Sequence, residues 1–519
     1  MRNSLSLWML AAAFCTAQSS NAVNLEPKVD KKTQERILIT TDLEVDDMNG
    51  IILSLMYADQ YDLAGIVWTA GMYHFSGDGG EHTLAEICPH YRCNAQHCEH
   101  QVTNAGELRN YRPADPLFLD RMMRYYEADY KYLCQNNPNY PTPEYLRSIT
   151  KVGNIQFEGD YRFDTDGSKW IEQCILDDDM RPLHIQHWGG INTTVRALKS
   201  IYDKYHGTAE WDKILEKVVT KVRINGSGED YCRADSKMDE WFPGLQNDSR
   251  GWVSAYGQFF SAKTAAPEVI KYYQGEWLLD AFKKNHGKLL GDFWLMAEDR
   301  AVFGEPLVYN YGIINYMDWG MSAELGWGPA NLKGYTRYEF NPFDWMCCQF
   351  GCSSYIDLGL IPGQSHLNNR YTEVYFQELA ARADWAIAGP EKCNHAPSVK
   401  AEQQMLKCKP GKSVVLTGTA TDPDGNAMTV KWWVEPQPKQ GANPFMGGGT
   451  SYGGDAELGQ NLSEQGEQTC AAGTPVTCTY SVPKTAKIGD KIVVNMEVTD
   501  KAERPMTRYA QFVIEVSKK

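Results

Sequence analysis

Hydrophobic and polar positions along this chain alternate between two periods. From Arg36 an apolar run, Ile37-Leu38-Ile39, passes through Thr40-Thr41 into the acidic stretch Asp42-Leu43-Glu44-Val45-Asp46-Asp47. Ile51, Ile52, Leu55 and Met56 then recur at helical spacing, and Leu63 to Trp68 forms a second apolar run. Strand, acidic loop, helix and strand in about thirty residues is the size of a βαβ unit, which pairs its strands in parallel. Leu183 to Trp188 reads as another buried strand, followed by Gly189-Gly190-Ile191-Asn192-Thr193-Thr194 and a helix from Val195 to Tyr205. Val218 to Ile224 reads as a further strand, ahead of the polar loop Asn225 to Asp230. Between these, residues 72–168 are loop-rich around a helix from Pro116 to Leu133, with Gly159 to Gly167 expected as an exposed, turn-rich connection. The alternation predicts an α/β class with a mostly parallel sheet.

The pattern changes after the helix predicted over Glu373 to Ala388, which Gly389-Pro390 closes. From Ala396 every motif is β. Ser413 to Ala420 alternates, Asp422-Pro423-Asp424-Gly425 reads as a hairpin turn, and Met428 to Val434 answers it. Thr479 to Val482, Lys491 to Thr499 and Tyr509 to Val516 follow as strands, and Cys470 and Cys478 are placed to staple a loop. The expected organisation is a signal peptide over 1–22, an α/β domain over 36–390 and a smaller all-β, immunoglobulin-like sandwich over 396–519. A chain of 519 residues is too long for one ordinary core, in keeping with two domains.

Charge and composition narrow the partners. A formal net charge of −15 argues against a nucleic-acid polymer, since phosphate binding needs basic patches, and leaves small molecules and uncharged glycans open. Arg2, the apolar run Leu7 to Cys15 and the small residues Ser20-Asn21-Ala22 make a secretory signal, so the expected location is secreted or periplasmic. That run is too short to span a bilayer, and nothing later reaches spanning length. Removing Cys15 from the total of 14 cysteines leaves an odd number in an oxidising compartment, which predicts disulfides and at least one free thiol. Cys88, Cys93 and Cys98, with His90, His97 and His100 nearby, are expected to form disulfides ahead of a zinc site. Oligomeric state is left open.

Four carboxylates within six residues, Asp42, Glu44, Asp46 and Asp47, repel one another unless a cation sits among them. Calcium or magnesium suits oxygen ligands; the other reading is an acidic helix N-terminus that caps the first turn. Their place after a parallel strand favours the metal, because ligands in such sheets bind beyond the carboxyl ends of the strands. His184 and His187 point to opposite faces of their strand, so at most one reaches that mouth, and each reads first as a hydrogen-bonded core histidine. Glu229 and Asp230 read as a solvated turn or as functional carboxylates, and Asp422 and Asp424 as turn residues first.

The spacing of Asp42, Asp46 and Asp47 resembles that of the nucleoside hydrolase superfamily. The closer resemblance is to its secreted members often labelled cellulose-binding proteins, in the stretch Thr41 to Asp47, in Trp188-Gly189-Gly190-Ile191-Asn192-Thr193, and in Asp422 to Gly425 followed by Trp432-Trp433. This resemblance implies a Rossmann-like sheet and a Ca2+ cofactor. It makes Asp42 metal ligand and general base, Asp47 and Asp299 metal ligands, and Asp46 a sugar-hydroxyl ligand. The Gly189 to Thr193 segment would lend a backbone carbonyl to the metal, with Asn192 in the ligand set, and the Asn192 amide to the sugar, which Trp188 would also contact. Glu298 would stand in for the histidine used as leaving-group acid in part of that family. Thr40 and Leu43-Glu44 depart from the nucleoside hydrolase loop, with Glu44 holding the loop or facing the sugar, which leaves the substrate open between a nucleoside and another glycoside. The expectation is a calcium-dependent glycosyl hydrolase acting on an N-ribosyl or other small glycoside. Its alternative is a non-catalytic binder of cellulose or another glycan that uses the same domain.

Overall fold

Arg36–Thr41 forms strand β1, and all six residues are buried. In the computed structural model the residues described are 28–34, 36–43, 45–71, 74–77, 115–226, 235–248, 275–293, 365–434, 438–443, 449–452 and 466–518, with the single residues Val23, Leu25, Tyr272 and Leu462. Helix α1 (Val45–Met56) and strand β2 (Asp62–Trp68) complete the first βαβ unit. Helices α2 (Phe118–Asn136) and α3 (Pro143–Ile149) lead into β3 (Thr150–Val152), and α4 (Asp166–Leu176) into β4 (Leu183–Trp188). Helices α5 (Asn192–Tyr205) and α6 (Trp211–Lys221) precede β5 (Val222–Gly226), and α7 (Asp235–Trp241) precedes β6 (Gln246–Asp248).

The six strands pair in parallel in the order β3-β2-β1-β4-β5-β6. This doubly wound order reverses between β1 and β4. Both faces of the sheet are covered. Ile37 and Ile39 of β1 join the core made by α1, α2 and α3, whereas Leu38 joins the core made by α4, α5 and α6. The period of two in the strand thus feeds two helical layers, which is why β1 reads as a continuous apolar run. Helix α8 (Ser365–Trp385) returns to the first layer, where Phe376, Leu379 and Trp385 are buried.

Two boundaries differ from expectation. Val218 lies in α6, not in a strand; Trp211, Ile214, Leu215 and Val218 pack on the second core at helical spacing, and the helix runs into β5 with no breaker between them. Gly159 to Gly167 is exposed only at Arg162, Phe163, Asp164 and Asp166, while Gly159, Asp160 and Gly167 are buried.

The C-terminal part has its own core around Leu416, Val430, Trp432, Val494 and Phe512. Its strands are β7 (Ser398–Ala401), β8 (Met405–Cys408), β9 (Ser413–Thr421), β10 (Met428–Val434), β11 (Pro438–Asn443), β12 (Gly449–Tyr452), β13 (Gln468–Cys470), β14 (Val476–Ser481), β15 (Lys491–Asp500) and β16 (Thr507–Val516). They form a five-stranded sheet, β13-β10-β15-β16-β8, a three-stranded sheet, β14-β9-β7, and the pair β11-β12. Two expectations are corrected here. Asp422 to Gly425 is not a hairpin turn: it carries the chain from β9 in one sheet to β10 in the other. Its geometry is local, since Asp422 Oδ1 accepts from the Asp424 and Asn426 amides at 3.0 and 2.8 Å. Cys470 is a free thiol on a different sheet from Cys478, so the two staple nothing. Cys134, Cys174, Cys393 and Cys408 are also free; Cys88, Cys93 and Cys98 lie outside the described residues.

Charged groups join the two parts. Glu378 on α8 accepts from Arg382 Nε at 2.9 Å and from Arg508 Nη1 of β16 at 2.6 Å. Burial alone would lift the Glu378 carboxyl, but Arg508 and Arg382 hold it below its ordinary value. Arg382 Nη1 also donates to Asp59 at 2.8 Å. His395, in the connection, bonds Asp424 through Nδ1 at 2.9 Å and Asn136 through Nε2 at 3.1 Å.

Candidate functional site at the strand ends

In the β1–β4 register Thr41 stands beside Trp188, and in the β1–β2 register beside Trp68. Asp42, Gly189 and Thr69 are therefore the first residues past three aligned strand ends, at the place where the strand order reverses. Asp42 and Asp47 are each only 1% exposed.

Asp47, in the first turn of α1, bonds back to the strand end. Its Oδ2 accepts from Thr41 Oγ1 at 2.7 Å and from the Asp42 amide at 3.1 Å. Thr41 Oγ1 in turn accepts from the Leu43 amide at 3.1 Å. Leu43 is buried with φ of 65°, the left-handed region that ordinary side chains avoid. The loop is tight enough to hold a leucine in a conformation suited to glycine. Such strain concentrates where a chain must present a group accurately.

Glycines make room for the Asp42 carboxylate. A Cβ on Gly71 would lie 1.8 Å from Asp42 Oδ2, and one on Gly189 would lie 2.6 Å from Asp42 Cγ. The second glycine belongs to the motif singled out from the sequence. The first, past the end of β2, was not singled out, and no local pattern marks it.

The other sequence-derived residues are placed as follows. Asn192 is fully buried, and its side chain is engaged at both ends. Nδ2 donates to the Asn154, Phe157 and Asp160 carbonyls at 2.7, 3.3 and 3.1 Å, and Oδ1 accepts from Thr69 Oγ1 at 2.5 Å. It pins the 154–160 loop against the strand ends, so this amide is committed to the protein rather than to a sugar. Thr193 extends the same cluster, with Oγ1 at 2.9 Å from Thr69 Oγ1 and accepting from the Asn154 amide at 2.8 Å. Thr69, Asn154 and Asp160 are functional-loop supports that the sequence reading missed. Trp188 is buried in the first core and donates Nε1 to Gln186 Oε1 at 3.1 Å; it presents no open face. His187 Nε2 lies 2.8 Å from Thr194 Oγ1 and, like His184, is buried. Glu44, the Asp46 side chain, Glu229, Asp230, Glu298 and Asp299 lie outside the described residues.

Asp42 and Asp47 supply oxygen donors suited to a hard cation, and a side chain at Gly71 or Gly189 would collide with the Asp42 carboxylate. These two carboxylates are the described donors that would hold such an ion. Among the described residues, however, no group of three or more His, Cys, Asp or Glu side chains is gathered as a metal centre.

Residues 36–328 match the family model for "Cellulose-binding Sde182, nucleoside hydrolase-like domain". The chain belongs to this family. Residues 413–516 match the model for "Cellulose-binding protein Sde0182, C-terminal domain". Among solved structures, the chain is similar to a nucleoside hydrolase-related hypothetical protein from Saccharophagus degradans that is associated with carbohydrate metabolism. The two are 19% identical, the match covers 93% of this chain and 100% of that one, and the TM-score is 0.57. At that identity the likeness is one of fold. A match to VCBP3 domain 1 from Branchiostoma floridae, 12% identical over 24% of this chain and 96% of that one, has a TM-score of 0.15 and carries no argument. No curated protein matches. The family supports a carbohydrate-associated function. Among the described residues no helix is long and apolar enough to cross a membrane.

Proposed function

We propose that the protein is a calcium-dependent glycosyl hydrolase, secreted or periplasmic, that cleaves a small glycoside at the ends of β1 and β4. The observation that carries this is the buried Asp42 carboxylate, fixed at the strand-order reversal by Asp47 and given space by Gly71 and Gly189. Asp42 and Asp47 would hold the ion, with Asp299 as the further ligand assigned from the sequence. A calcium ion bound there supplies a more acidic water and fixed sugar hydroxyls. Asp42 takes the proton from the attacking water. Cleavage builds positive charge on the sugar ring, and the carboxylates at this mouth stabilise it. Glu298 serves as leaving-group acid and Asp46 binds sugar hydroxyls in this proposal.

The second reading is a domain that binds glycan without cleaving it. The description of the matching family as cellulose-binding favours it, as does the Asn192 amide, which is occupied within the protein. Incubating purified protein with a panel of glycosides and nucleosides, and following reducing sugar, separates the two. Release in calcium supports the hydrolase. No release, with retained binding to cellulose, supports the binder.

A further inference from the structure

The chain crosses from the α/β part to the sandwich through His395, which is buried and engaged on three sides. Nδ1 lies 2.9 Å from Asp424 Oδ1, in the turn after β9, and Nε2 lies 3.1 Å from Asn136 Oδ1, at the end of α2. The ring stacks on Trp385 of α8, with centroids 5.1 Å apart.

The partners dictate how many protons this arrangement holds. Asn136 Nδ2 donates to the Tyr132 and Ala388 carbonyls at 2.9 and 2.8 Å, so the amide cannot be turned round and its oxygen faces His395. An amide oxygen and a carboxylate oxygen only accept. Each ring nitrogen therefore has to donate, and an imidazole donates from both only when it carries its second proton. Stacking on an indole face favours the same cationic form. A neutral ring would turn a lone pair toward either Asp424 or Asn136.

The charged groups around the ring agree with that sign. On the sandwich side lie Asp422 and Asp500, the latter bonded to Asn394. On α8, Asp384 pairs with Arg504, and Arg382 with Asp59 and Glu378, while Arg508 of β16 shares Glu378. Glu391 and Lys392 of the connection are exposed, and α2 presents the neutral Asn136. Each arginine is matched by a carboxylate, which leaves Asp422, Asp424 and Asp500 to favour a positive ring beside them.

We propose that His395 is a proton-dependent clasp that docks the sandwich on the α/β part: with its second proton it ties Asp424 to Asn136, and loss of that proton as pH rises breaks one of the two bonds and loosens the seam. The clasp is independent of the chemistry at Asp42. Hydrogen exchange of the full chain tests it, at about pH 5 and about pH 8, the two ends of the range in which histidine exchanges its proton. Rates are corrected for intrinsic exchange at each pH. Peptides over residues 393–397 and 422–426 read the seam, because the His395 amide also donates to Asp424 Oδ2. Wild type should lose protection about tenfold or more at the higher pH, the equivalent of one charged hydrogen bond. Asp424→Asn removes the need for the second proton, since its Nδ2 can donate to Nδ1 of a neutral ring while its oxygen accepts the His395 amide. Protection in this variant should be equal at both pH values. His395→Gln, which has no titrating ring, should be equally flat and keeps the test decisive if Asp424→Asn does not fold. Asp500→Asn should keep the fall, which separates the clasp from Asp500, whose carboxyl burial pushes up to about 6. Equal wild-type protection at both pH values, a fall that persists in Asp424→Asn or His395→Gln, or a fall abolished by Asp500→Asn would each overturn the proposal.

Discussion

Asp47 holds Asp42 by its backbone: one carboxylate oxygen of Asp47 accepts the Asp42 N–H at 3.1 Å and the Thr41 hydroxyl at 2.7 Å. The loop that carries Asp42 is thereby fixed from the helix that follows it, and Gly71 and Gly189 lie against the Asp42 carboxylate. Positioning of one acid by the backbone contacts of another gives the cluster a purpose beyond capping α1.

Gly189→Ala tests that positioning. Its Cβ would meet Asp42 Cγ at 2.6 Å, so the carboxylate must move. Calcium affinity, read by calorimetry, should fall by roughly 10- to 100-fold, the range found when supports of metal ligands are altered. Unchanged affinity would mean that Asp42 is not a ligand.

Leu43 offers a stability test with a definite sign. At φ of 65° glycine is at ease and alanine is not, and both replacements lose the same buried side chain. Leu43→Gly should therefore be more stable than Leu43→Ala by about 1 kcal/mol in urea unfolding. Alanine equal to or better than glycine would show that the loop relaxes without cost.

Arg382→Ala should be severe. It leaves Asp59 and Glu378 buried without this partner, and breaking a buried pair from one side costs about 3–5 kcal/mol. Arg508→Ala, at a more exposed guanidinium, should cost less. Denaturant midpoints in the reverse order would contradict the network as drawn.

Asp500 gives a pH signature. Burial lifts its carboxyl to about 6, against hydrogen bonds from Asn394 and from the Ala502 and Met506 amides. Because the folded value lies above the unfolded one, its contribution is fully present below about pH 4 and is lost as pH rises through 6. Relative to Asp500→Asn, wild type should lose up to about 3 kcal/mol of unfolding free energy between pH 4 and 7. Parallel stability curves for the two proteins would refute the shift.

Much of the α/β architecture was legible because buried parallel strands are short apolar runs bounded by polar loops, as in β1, β2 and β4. The boundary at Val218 was not, because α6 meets β5 without a breaker and the two apolar segments merge. The turn chemistry of Asp422-Pro423-Asp424-Gly425 predicts a turn, but which sheets it joins is decided by pairing partners far along the chain. Asn192 shows the same limit at the site. Its position after two glycines was visible, whereas the burial of its amide among the carbonyls of Asn154, Phe157 and Asp160 depends on a loop more than thirty residues away.

The most direct measurement is reducing-sugar release from the glycoside and nucleoside panel by wild type and Asp42→Asn, each in calcium and in excess chelator. The hydrolase proposal predicts turnover of at least one panel member by wild type in calcium alone, abolished by chelator and by Asp42→Asn. Turnover that survives either change, or none by calcium-loaded wild type, would contradict it.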